Sequence, residues 1–412
     1  MKNYDVIIIG GGPAGMAAAV KLKENGIDNI IIIEREKCLG GILRQCIHDG
    51  FGLSRFGVSL AGPEYSQRFI DKIRELQISY LEEATAIHLS KEKIVTVVSK
   101  AGLLQLQGKA IVLAMGCRER TRGALAIPGT RPSGIITAGV AQNYLNLQNT
   151  MVGKEIIILG SGDIGLIMAR RFTLEGAHVK AVYEIQKYPS GLPRNIEQCL
   201  HDYNIPLYLG RSVIEIQGED RVSGVIVADY DENMKVIPGT EEYVTCDTLV
   251  LSVGLIPENE LSLEAGVELD ERTNGAMVDE FCQTTVPGIF AAGNVLHVHD
   301  LADFVSEEAE RMANSVTEYI KAGELPESNL PVLPCGEIGH IVPHRVSGKK
   351  DFHLSFRVNR PLGKRTVIVK QGEKIIRNAR YRKLLPTDMV HLEISCDNIT
   401  SEESLKVEIN HD

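Results

Sequence analysis

The feature that most constrains this chain is a glycine spacing that occurs twice, each time directly after an apolar run. The first copy follows the run from Val6 to Ile9 and places Gly10, Gly12 and Gly15 in a G-x-G-x-x-G pattern. In a strand–turn–helix unit, the first glycine permits a tight turn and the second lets the backbone approach a pyrophosphate. The third lets the helix pack close to the strand. The free N–H groups at the start of such a helix favour a phosphate.

The residues after this turn complete a βαβ unit. A helix is predicted from Ala14 to Asn25, and a second strand from Ile30 to Ile33 ends at Glu34, which lies 24 residues after Gly10. A carboxylate there accepts hydrogen bonds from both hydroxyls of an adenosine ribose. The alternative is a glycine-rich turn that binds nothing. The residues predicted to form this dinucleotide site are Gly10, Gly12, Pro13, Ala14, Gly15, Glu34 and Arg35.

The second copy repeats the whole unit. The apolar run Glu155 to Leu159 precedes the glycines, and Glu184 again follows the first glycine by 24 residues. An internal repeat of this kind predicts two dinucleotide sites. Neither second strand is followed by an arginine cluster that would bind a 2′-phosphate, which favours NAD(H) over NADP(H). The alternative is a vestigial half that binds nothing. The residues predicted here are Gly160, Gly162, Ile164, Gly165 and Glu184.

Length and composition exclude several classes of protein. A chain of 412 residues predicts two or three domains. A net charge of −10 argues against a nucleic-acid surface, and no apolar run is long enough for a membrane span. A strand that begins by residue 5 predicts no signal peptide. The eight cysteines show no C-x-x-C and no metal-ligand spacing. They predict reduced thiols, a cytoplasmic location and no metal.

Later segments add a third layer of motifs. A strand predicted from Lys109 to Met115 runs into Ala114-Met115-Gly116, and Ile289 to Asn294 forms another apolar motif. A helix is predicted from Asp300 to Lys321, with an acidic face at Glu307, Glu308 and Glu310. Residues 323–334 have the composition of a linker. Short alternating apolar stretches beyond it predict a small all-β region.

Together these pieces resemble the FAD-dependent pyridine-nucleotide oxidoreductases, the two-dinucleotide-binding flavoproteins of glutathione-reductase and thioredoxin-reductase type. The first βαβ unit resembles their FAD site, residues 114–116 their A-T-G motif, the second βαβ unit their NAD(P)H site, and residues 289–294 their late flavin motif. In that last motif Asn294 stands where the acid that binds the ribityl chain is usual. The resemblance adds Gly41, Ala114, Gly116, Gly293 and Asn294 to the expected cofactor-binding residues.

The resemblance implies an α/β fold with two Rossmann-like domains of glutathione/thioredoxin-reductase type and a small C-terminal all-β region. The FAD-binding domain is expected at residues 1–120 and 253–325, the NAD(H)-binding domain at 121–252, and the β-rich region at 326–412. The expected cofactors are FAD and NAD(H).

Further stretches resemble one branch of this superfamily. They are GGILRQCIHDGFG, GCRERTRG, TAGVAQ and YPSGLPRN. The branch contains flavoprotein subunits of heteromeric dehydrogenases, such as dye-linked amino-acid dehydrogenases, opine oxidases, cyanide synthase and the flavoprotein that accompanies anaerobic glycerol-3-phosphate dehydrogenase. It implies a partner subunit. The C-terminal strands are expected to dock that partner or to form a homodimer interface, so deleting residues 326–412 is expected to spare flavin reduction.

A missing cysteine pair narrows the expected chemistry. The C-x4-C pair of the disulfide reductases would fall at Leu43 and His48, and neither is a cysteine. Cys46 alone suggests a thiol cycling through sulfenic acid, or a buried thiol without a redox role. His48 and His299 are candidate proton donors near the flavin, with structural hydrogen bonding as the alternative. The helix that begins near residues 300–303 is expected to direct its free N–H groups to the flavin.

Three functions therefore remain open from the sequence. The first is an FAD enzyme that exchanges electrons between NAD(H) and a partner subunit or other acceptor. The second is a self-contained NADH oxidase or peroxidase that uses Cys46. The third is a flavin-bearing scaffold without catalysis of its own.

Overall fold

The computed structural model describes residues 1–400 and 403–411. The chain divides into two compact units, which we call the larger and the smaller unit. The larger unit contains Met1–Cys117 and Pro257–Asp412, and the smaller unit contains Arg118–Ile256. Within the described part of the chain, no helix is both long enough and apolar enough to cross a membrane.

The helices of the described residues are short apart from the last. In chain order they are α1 Pro13–Glu24, α2 Leu53–Phe56, α3 Gly62–Glu75, α4 Arg122–Leu125, α5 Ala138–Gln148, α6 Asp163–Leu174, α7 Pro193–Cys199, α8 Glu260–Glu264 and α9 Ala302–Ala322. Single 3-10 turns lie at Gly41–Gln45, His201–Tyr203, Gly293–Val295 and Cys396–Asn398.

The strands follow the same numbering. They are β1 Lys2–Ile9, β2 Ile30–Ile33, β3 Ser79–Leu81, β4 Thr85–Leu89, β5 Ile94–Ser99, β6 Gly102–Leu113, β7 Cys117–Glu119, β8 Ile135–Thr137, β9 Glu155–Leu159, β10 His178–Glu184, β11 Leu207–Leu209, β12 Arg211–Gly218, β13 Val222–Asp229, β14 Glu242–Thr245, β15 Thr248–Leu251, β16 Leu255–Pro257, β17 Ile289–Ala291, β18 Leu330–Pro334, β19 Ile338–Val342, β20 Arg345–Val346, β21 Phe352–Val358, β22 Arg365–Gln371, β23 Lys374–Tyr381, β24 Val390–Ile394 and β25 Leu405–His411.

The central sheet of the larger unit is mostly parallel. Its order is β3-β2-β1-β6-β5-β4, and β17 also pairs with β6. Val6 of β1 is in register with Ile30 of β2 and Ala110 of β6. All four residues of β2 are buried, as expected for a parallel strand that is covered on both faces.

Successive residues of these strands face two different cores. Ile8 and Ile32 pack with α1, α3 and α9, whereas Ile7 and Ile31 pack into a second cluster on the opposite face. The first cluster is rich in alanine from α1, because small side chains let α1 lie close to β1 and α9. This packing places the first turn of α1 at the carboxyl ends of the parallel strands.

The smaller unit contains the second βαβ repeat. Its main sheet has the order β11-β10-β9-β15-β8, and every pairing in it is parallel. A three-stranded antiparallel sheet, β12-β13-β14, packs on one face. The expected α/β fold with two Rossmann-like halves is confirmed.

The C-terminal strands form an all-β region with its own core, also as predicted. Two sheets, β20-β18-β25-β22-β23 and β19-β21-β24, enclose that core. The predicted linker at residues 323–334 is shorter than expected, because Leu330–Pro334 is strand β18. Leu330 and Val332 point inward, and the proline between them faces outward, where a missing N–H does not break the parallel ladder to β25.

This β region is joined to the rest of the larger unit by buried polar contacts. Arg357 forms an ion pair with Asp300, and the two side chains are only 17% and 11% exposed. The other carboxylate oxygen of Asp300 accepts the N–H of Met389 at 2.7 Å. Val342 of β19 belongs to the core beneath the central sheet. The region is therefore part of the larger unit and not a detached appendage.

An acidic pair lies at the same junction. Asp279 is 4% exposed and accepts the backbone N–H groups of Phe281 at 3.0 Å and Gln283 at 2.9 Å. Its neighbour Glu280 accepts the Ser328 hydroxyl at 2.8 Å. Burial, and then the Glu280 carboxylate, raises the pKa of Asp279 to about 7.

Asp279→Asn is therefore expected to change how stability depends on pH. The folded chain keeps a proton on Asp279 that the unfolded chain has released between pH about 4 and about 7, so this residue lowers the free energy of unfolding as pH rises through that window. The variant should gain stability over the natural chain by up to about 4 kcal/mol across it. Urea unfolding at pH 5 and pH 8 measures the difference. Asp71→Asn, at a side chain 65% exposed, is the control, and equal slopes for all three proteins would contradict the assignment.

Candidate functional site

The first glycine-rich turn has no room for side chains at two of its positions. Gly10 has a φ of +108°, and a Cβ there would lie 2.3 Å from the Ala114 carbonyl oxygen. A Cβ on Gly15 would lie 1.9 Å from the Gly10 carbonyl oxygen. The turn is therefore held tight between β1, the start of α1 and the residue after β6. These contacts are the ones that the spacing predicts.

Glu34 ends β2 with acceptor capacity to spare. Its Oε2 accepts the Gly11 N–H at 2.7 Å, and its Oε1 accepts the Glu36 N–H at 2.8 Å. Each oxygen therefore accepts one backbone hydrogen bond and has a second acceptor position. This carboxylate, only 5% exposed, fits the two hydroxyls of an adenosine ribose. Arg35 beside it is exposed.

Two distant segments close around the same turn. The Gly40 N–H donates to the Gly11 carbonyl at 2.9 Å, and a Cβ on Gly41 would lie 2.9 Å from the Gly12 Cα. A Cβ on Gly293 would lie 2.9 Å from the Cβ of Ala14. The structure thus brings the Gly40–Gly41 and Gly293 segments to the first turn, with Pro13 at the first position of α1. Gly116 has open space around its Cα. These residues fit FAD.

Asn294, which stands where an acid is usual, holds its own loop. Its side-chain oxygen accepts the His299 N–H at 3.0 Å, and its amide nitrogen lies 3.6 Å from the Cys117 sulfur as a weak donor. A carboxylate would accept the first of these bonds but would not donate the second. The amide therefore orders residues 294–299, in addition to any contact with a cofactor.

The second turn repeats the geometry of the first. Gly160 has a φ of +91° and would place a Cβ 2.1 Å from the Ser252 carbonyl oxygen, and a Cβ on Gly165 would also lie too close to the Ser252 side chain, at 2.6 Å. Glu184 accepts the N–H of Ser161 at 3.0 Å and that of Gln186 at 2.9 Å. A Cβ on Gly162 would lie 3.1 Å from the Ser252 hydroxyl, and Ile164, in the first turn of α6, is partly buried. The predicted residues are assembled as a second dinucleotide site.

A buried carboxylate lies beneath the Gly293 turn. Glu308 Oε2 accepts the Gly293 N–H at 2.7 Å, and Oε1 accepts the Nε2–H of His297 at 2.7 Å. His299 Nε2 approaches the same Oε1 to 3.4 Å. The side chains of His297, His299 and Glu308 are 0%, 2% and 7% exposed. His299, a candidate proton donor, therefore belongs to a buried cluster.

The acidic face predicted for α9 is wrong at Glu308. The sequence carried a signal for its burial, because Val305, Ala309 and Met312 are apolar residues at helical spacing on the same side. Glu310, two residues further on, forms a partly exposed ion pair with Arg55. A run of glutamates in a helix indicates a solvated face only at the positions that lie outside the apolar stripe.

The charges in this cluster follow from its burial. Although burial alone would raise it, the imidazoles of His299 and His297 hold the pKa of the Glu308 carboxyl well below its usual range. Burial lowers the pKa of His297, so a neutral His297 donates to an ionised Glu308. In the described residues, the Nδ1 atoms of both histidines have no hydrogen-bond partner. One ligand-type atom from each of the three side chains lies within 4.8 Å of the others, a donor set that transition metals also accept.

Cys46 lies under the start of α3, in an environment that suppresses its reactivity. Its sulfur donates to the Ile42 carbonyl at 3.3 Å, and burial raises the pKa of the Cys46 thiol to about 12. At pH 7 about one part in 10⁵ is thiolate, the nucleophilic form. His48 is partly exposed, with Nδ1 3.1 Å from the Asp49 carbonyl oxygen and its ring against Phe51.

Comparison with known proteins agrees with these two turns. The sequence profile of the family described as pyridine nucleotide-disulphide oxidoreductase matches residues 4–318. The chain belongs to this family. Members of the pyridine nucleotide-disulphide oxidoreductase family bind FAD and NAD(P)H, so the chain is an FAD-dependent oxidoreductase of that class.

Curated relatives in the family include components of larger enzymes. The HcnB component of hydrogen cyanide synthase from Pseudomonas protegens is 26% identical over 323 residues, which cover 71% of this chain and 66% of that protein. The AhpF-type relative, an alkyl hydroperoxide reductase component from Staphylococcus epidermidis, is 27% identical, covering 71% and 54%. An opine oxidase component from Agrobacterium tumefaciens is 25% identical, covering 71% and 61%. The chain spans about half to two thirds of the length of these relatives.

The fold has close parallels among solved structures. Thioredoxin reductase of T. acidophilum superposes with a TM-score of 0.63 at 22% identity, covering 77% of this chain and 99% of that one. At this identity the likeness concerns the fold. It matches the family assignment and the two Rossmann-like halves.

Proposed function

We propose that this chain is the FAD-carrying subunit of a heteromeric dehydrogenase. In this proposal it exchanges electrons between NAD(H) and an acceptor outside the chain, without a redox-active disulfide. FAD supplies the two-electron chemistry when bound. The chain's own residues bind and orient the two cofactors: Gly10 to Gly15, Glu34 and Gly293 at the first turn, and Gly160 to Gly165 and Glu184 at the second.

The observation that carries the proposal is a single buried thiol where the disulfide reductases of this family have a pair. Leu43 and His48 occupy the two positions of the pair, and all eight cysteines are free. Electrons from NADH then have no relay to a disulfide within the chain. An acceptor outside it is required, and a partner subunit supplies one. The free cysteines also support the proposal of a cytoplasmic, reducing location.

The relatives suggest what that acceptor is. HcnB and the opine oxidase relative are both named as subunits. By the sequence resemblance, we propose a partner of the anaerobic glycerol-3-phosphate dehydrogenase type. Affinity purification of the tagged chain from its native source, followed by mass spectrometry, tests this part. Recovery of a stoichiometric dehydrogenase subunit is expected, and recovery of the chain as a homodimer alone would contradict it.

The oxidase alternative requires a reactive Cys46, and burial of that thiol opposes it. With NADH, we expect fast flavin reduction in a single turnover and slow steady turnover when oxygen is the sole acceptor. An artificial dye should restore turnover. Cys46→Ser should leave these rates within about twofold. Sustained NADH oxidation by oxygen that collapses in the Cys46→Ser variant would favour the oxidase. Absence of flavin reduction by either nucleotide would favour a scaffold without catalysis.

We further propose that NADH is preferred over NADPH, because the Glu184 carboxylate faces the ribose position. Two like charges a few ångströms apart repel by about 1–4 kcal/mol, which corresponds to roughly tenfold to several-hundredfold discrimination. Stopped-flow flavin reduction with both nucleotides measures the ratio. Glu184→Gln is expected to narrow it, with Glu197→Gln, an exposed side chain of the same unit, as the control. Equal efficiencies for the natural chain would show that the role of Glu184 is wrong.

A further inference from the structure

The two dinucleotide turns differ in what already occupies the acid at the end of the second strand. At Glu34 both partners are backbone N–H groups. Glu184 has the two equivalent backbone partners and, in addition, two hydroxyls on its Oε2. The Ser161 hydroxyl donates at 2.6 Å and the Ser190 hydroxyl at 2.7 Å. Its Oε2 therefore accepts three hydrogen bonds, where the matching oxygen of Glu34 accepts one.

A ribose presents two hydroxyl donors, and these need two acceptor positions on the carboxylate. Glu34 offers one on each oxygen. Glu184 offers one on Oε1, where only the Gln186 N–H donates, and none on Oε2. A dinucleotide that uses both ribose hydroxyls must therefore displace a serine from Glu184. Ser161 is part of the glycine turn itself, so Ser190 is the group able to leave.

Ser190 lies on a short segment, residues 187–192, that follows β10 and is tied to the glycine turn. We call it the capping segment. The Ser190 N–H donates to the Ser161 hydroxyl at 2.8 Å, and the Leu192 N–H donates to Asp163 Oδ1 at 2.8 Å. A Cβ on Gly191 would lie 2.8 Å from the Ser161 carbonyl oxygen. The capping segment thus lies against the first turn of α6, where a pyrophosphate is expected.

We propose that Ser190 acts as an internal substitute for a ribose hydroxyl and sets the affinity of the second site for NAD(H). In the free protein its hydroxyl holds the capping segment on Glu184. Binding of the nucleotide exchanges this hydrogen bond for one from the ribose and moves the segment away from the turn. This inference rests on the proposed use of the second site for NAD(H).

The test compares NAD⁺ binding to the FAD-loaded natural chain and to Ser190→Ala by isothermal titration calorimetry. Ser190 is exposed, so the substitution leaves the core intact. The variant is expected to bind NAD⁺ about tenfold more tightly, since it lacks a competing hydrogen bond to a charged group. Ser133→Ala, which removes another hydroxyl bond in the smaller unit, is the control and should keep the natural Kd.

A second variant approaches the same question from the turn. Ser161→Gly converts the second turn to the three consecutive glycines of the first, removing one hydroxyl from Glu184 and the anchor of the Ser190 N–H. It should also tighten NAD⁺ binding. If Ser190→Ala binds NAD⁺ as the natural chain does, or more weakly, the inference is wrong while the proposed function stands. If none of the proteins binds NAD⁺, both are wrong.

Discussion

Replacing Glu308 with alanine is expected to destabilise the larger unit by about 3–5 kcal/mol, because the substitution breaks a buried, hydrogen-bonded charge cluster. Glu308 is the acceptor for the Gly293 N–H and for the Nε2–H of His297. Without it, both donors stay buried and unpaired. Gly293 packs against the first turn of α1, so FAD retention should fall together with stability.

Urea unfolding followed by circular dichroism, with FAD content measured alongside, tests this expectation. Glu318→Ala on the same helix is the matched control. Glu318 pairs with Lys350 at side chains that are 49% and 42% exposed, so its loss should cost less than about 1 kcal/mol. Glu308→Gln keeps an acceptor for Gly293 and should fall between the two. A Glu308→Ala variant as stable as Glu318→Ala would show that the cluster contributes nothing.

A chain that ends at residue 325 is expected to lose the folded larger unit and, with it, flavin binding. This differs from the sequence-based expectation that the deletion spares flavin reduction. The deletion removes Arg357, the partner of Asp300, and Val342, which fills the core beneath the central sheet. It also removes His344, whose Nδ1 accepts the Val278 N–H at 3.1 Å. The truncated chain should be recovered colourless and rapidly digested by trypsin. Recovery of a stable, yellow protein would contradict this account.

A point variant isolates the main polar contact. Arg357→Ala leaves Asp300 with the Met389 N–H but no countercharge, and should cost about 3–5 kcal/mol. Arg360→Ala, three residues away, removes an ion pair with Glu337 in which the arginine is 63% exposed, and should cost less than about 1 kcal/mol. The difference between the two variants measures how firmly the β region holds the loop before α9.

The sequence predicted the parts of this molecule that depend on local geometry. A G-x-G-x-x-G turn after an apolar strand needs its glycines because the chain itself crosses at that point, as the contacts of Gly10 and Gly160 show. Glu34 and Glu184 were found in the same way, because each ends a strand at a fixed distance from its turn. These signals lie within about thirty residues of sequence.

What the sequence did not predict depends on contacts between distant segments. The pair Arg357–Asp300 joins a strand to a loop 57 residues earlier, and no local pattern encodes that contact. The Ser190 hydroxyl was not recognised as a partner of Glu184, since nothing in the spacing of a loop fixes where its side chains point. Glu308 is an intermediate case, because helical periodicity indicated its burial.

The measurement that tests the central claim most directly is an electron count. Anaerobic titration of the purified holoprotein with NADH, and separately with dithionite, is followed by the flavin absorbance and by the thiol content before and after. A flavin site without a dithiol relay predicts that reduction ends at two electrons per FAD and that no new thiols appear. Uptake of four electrons per FAD, with two thiols released, would show a redox-active disulfide and contradict the account.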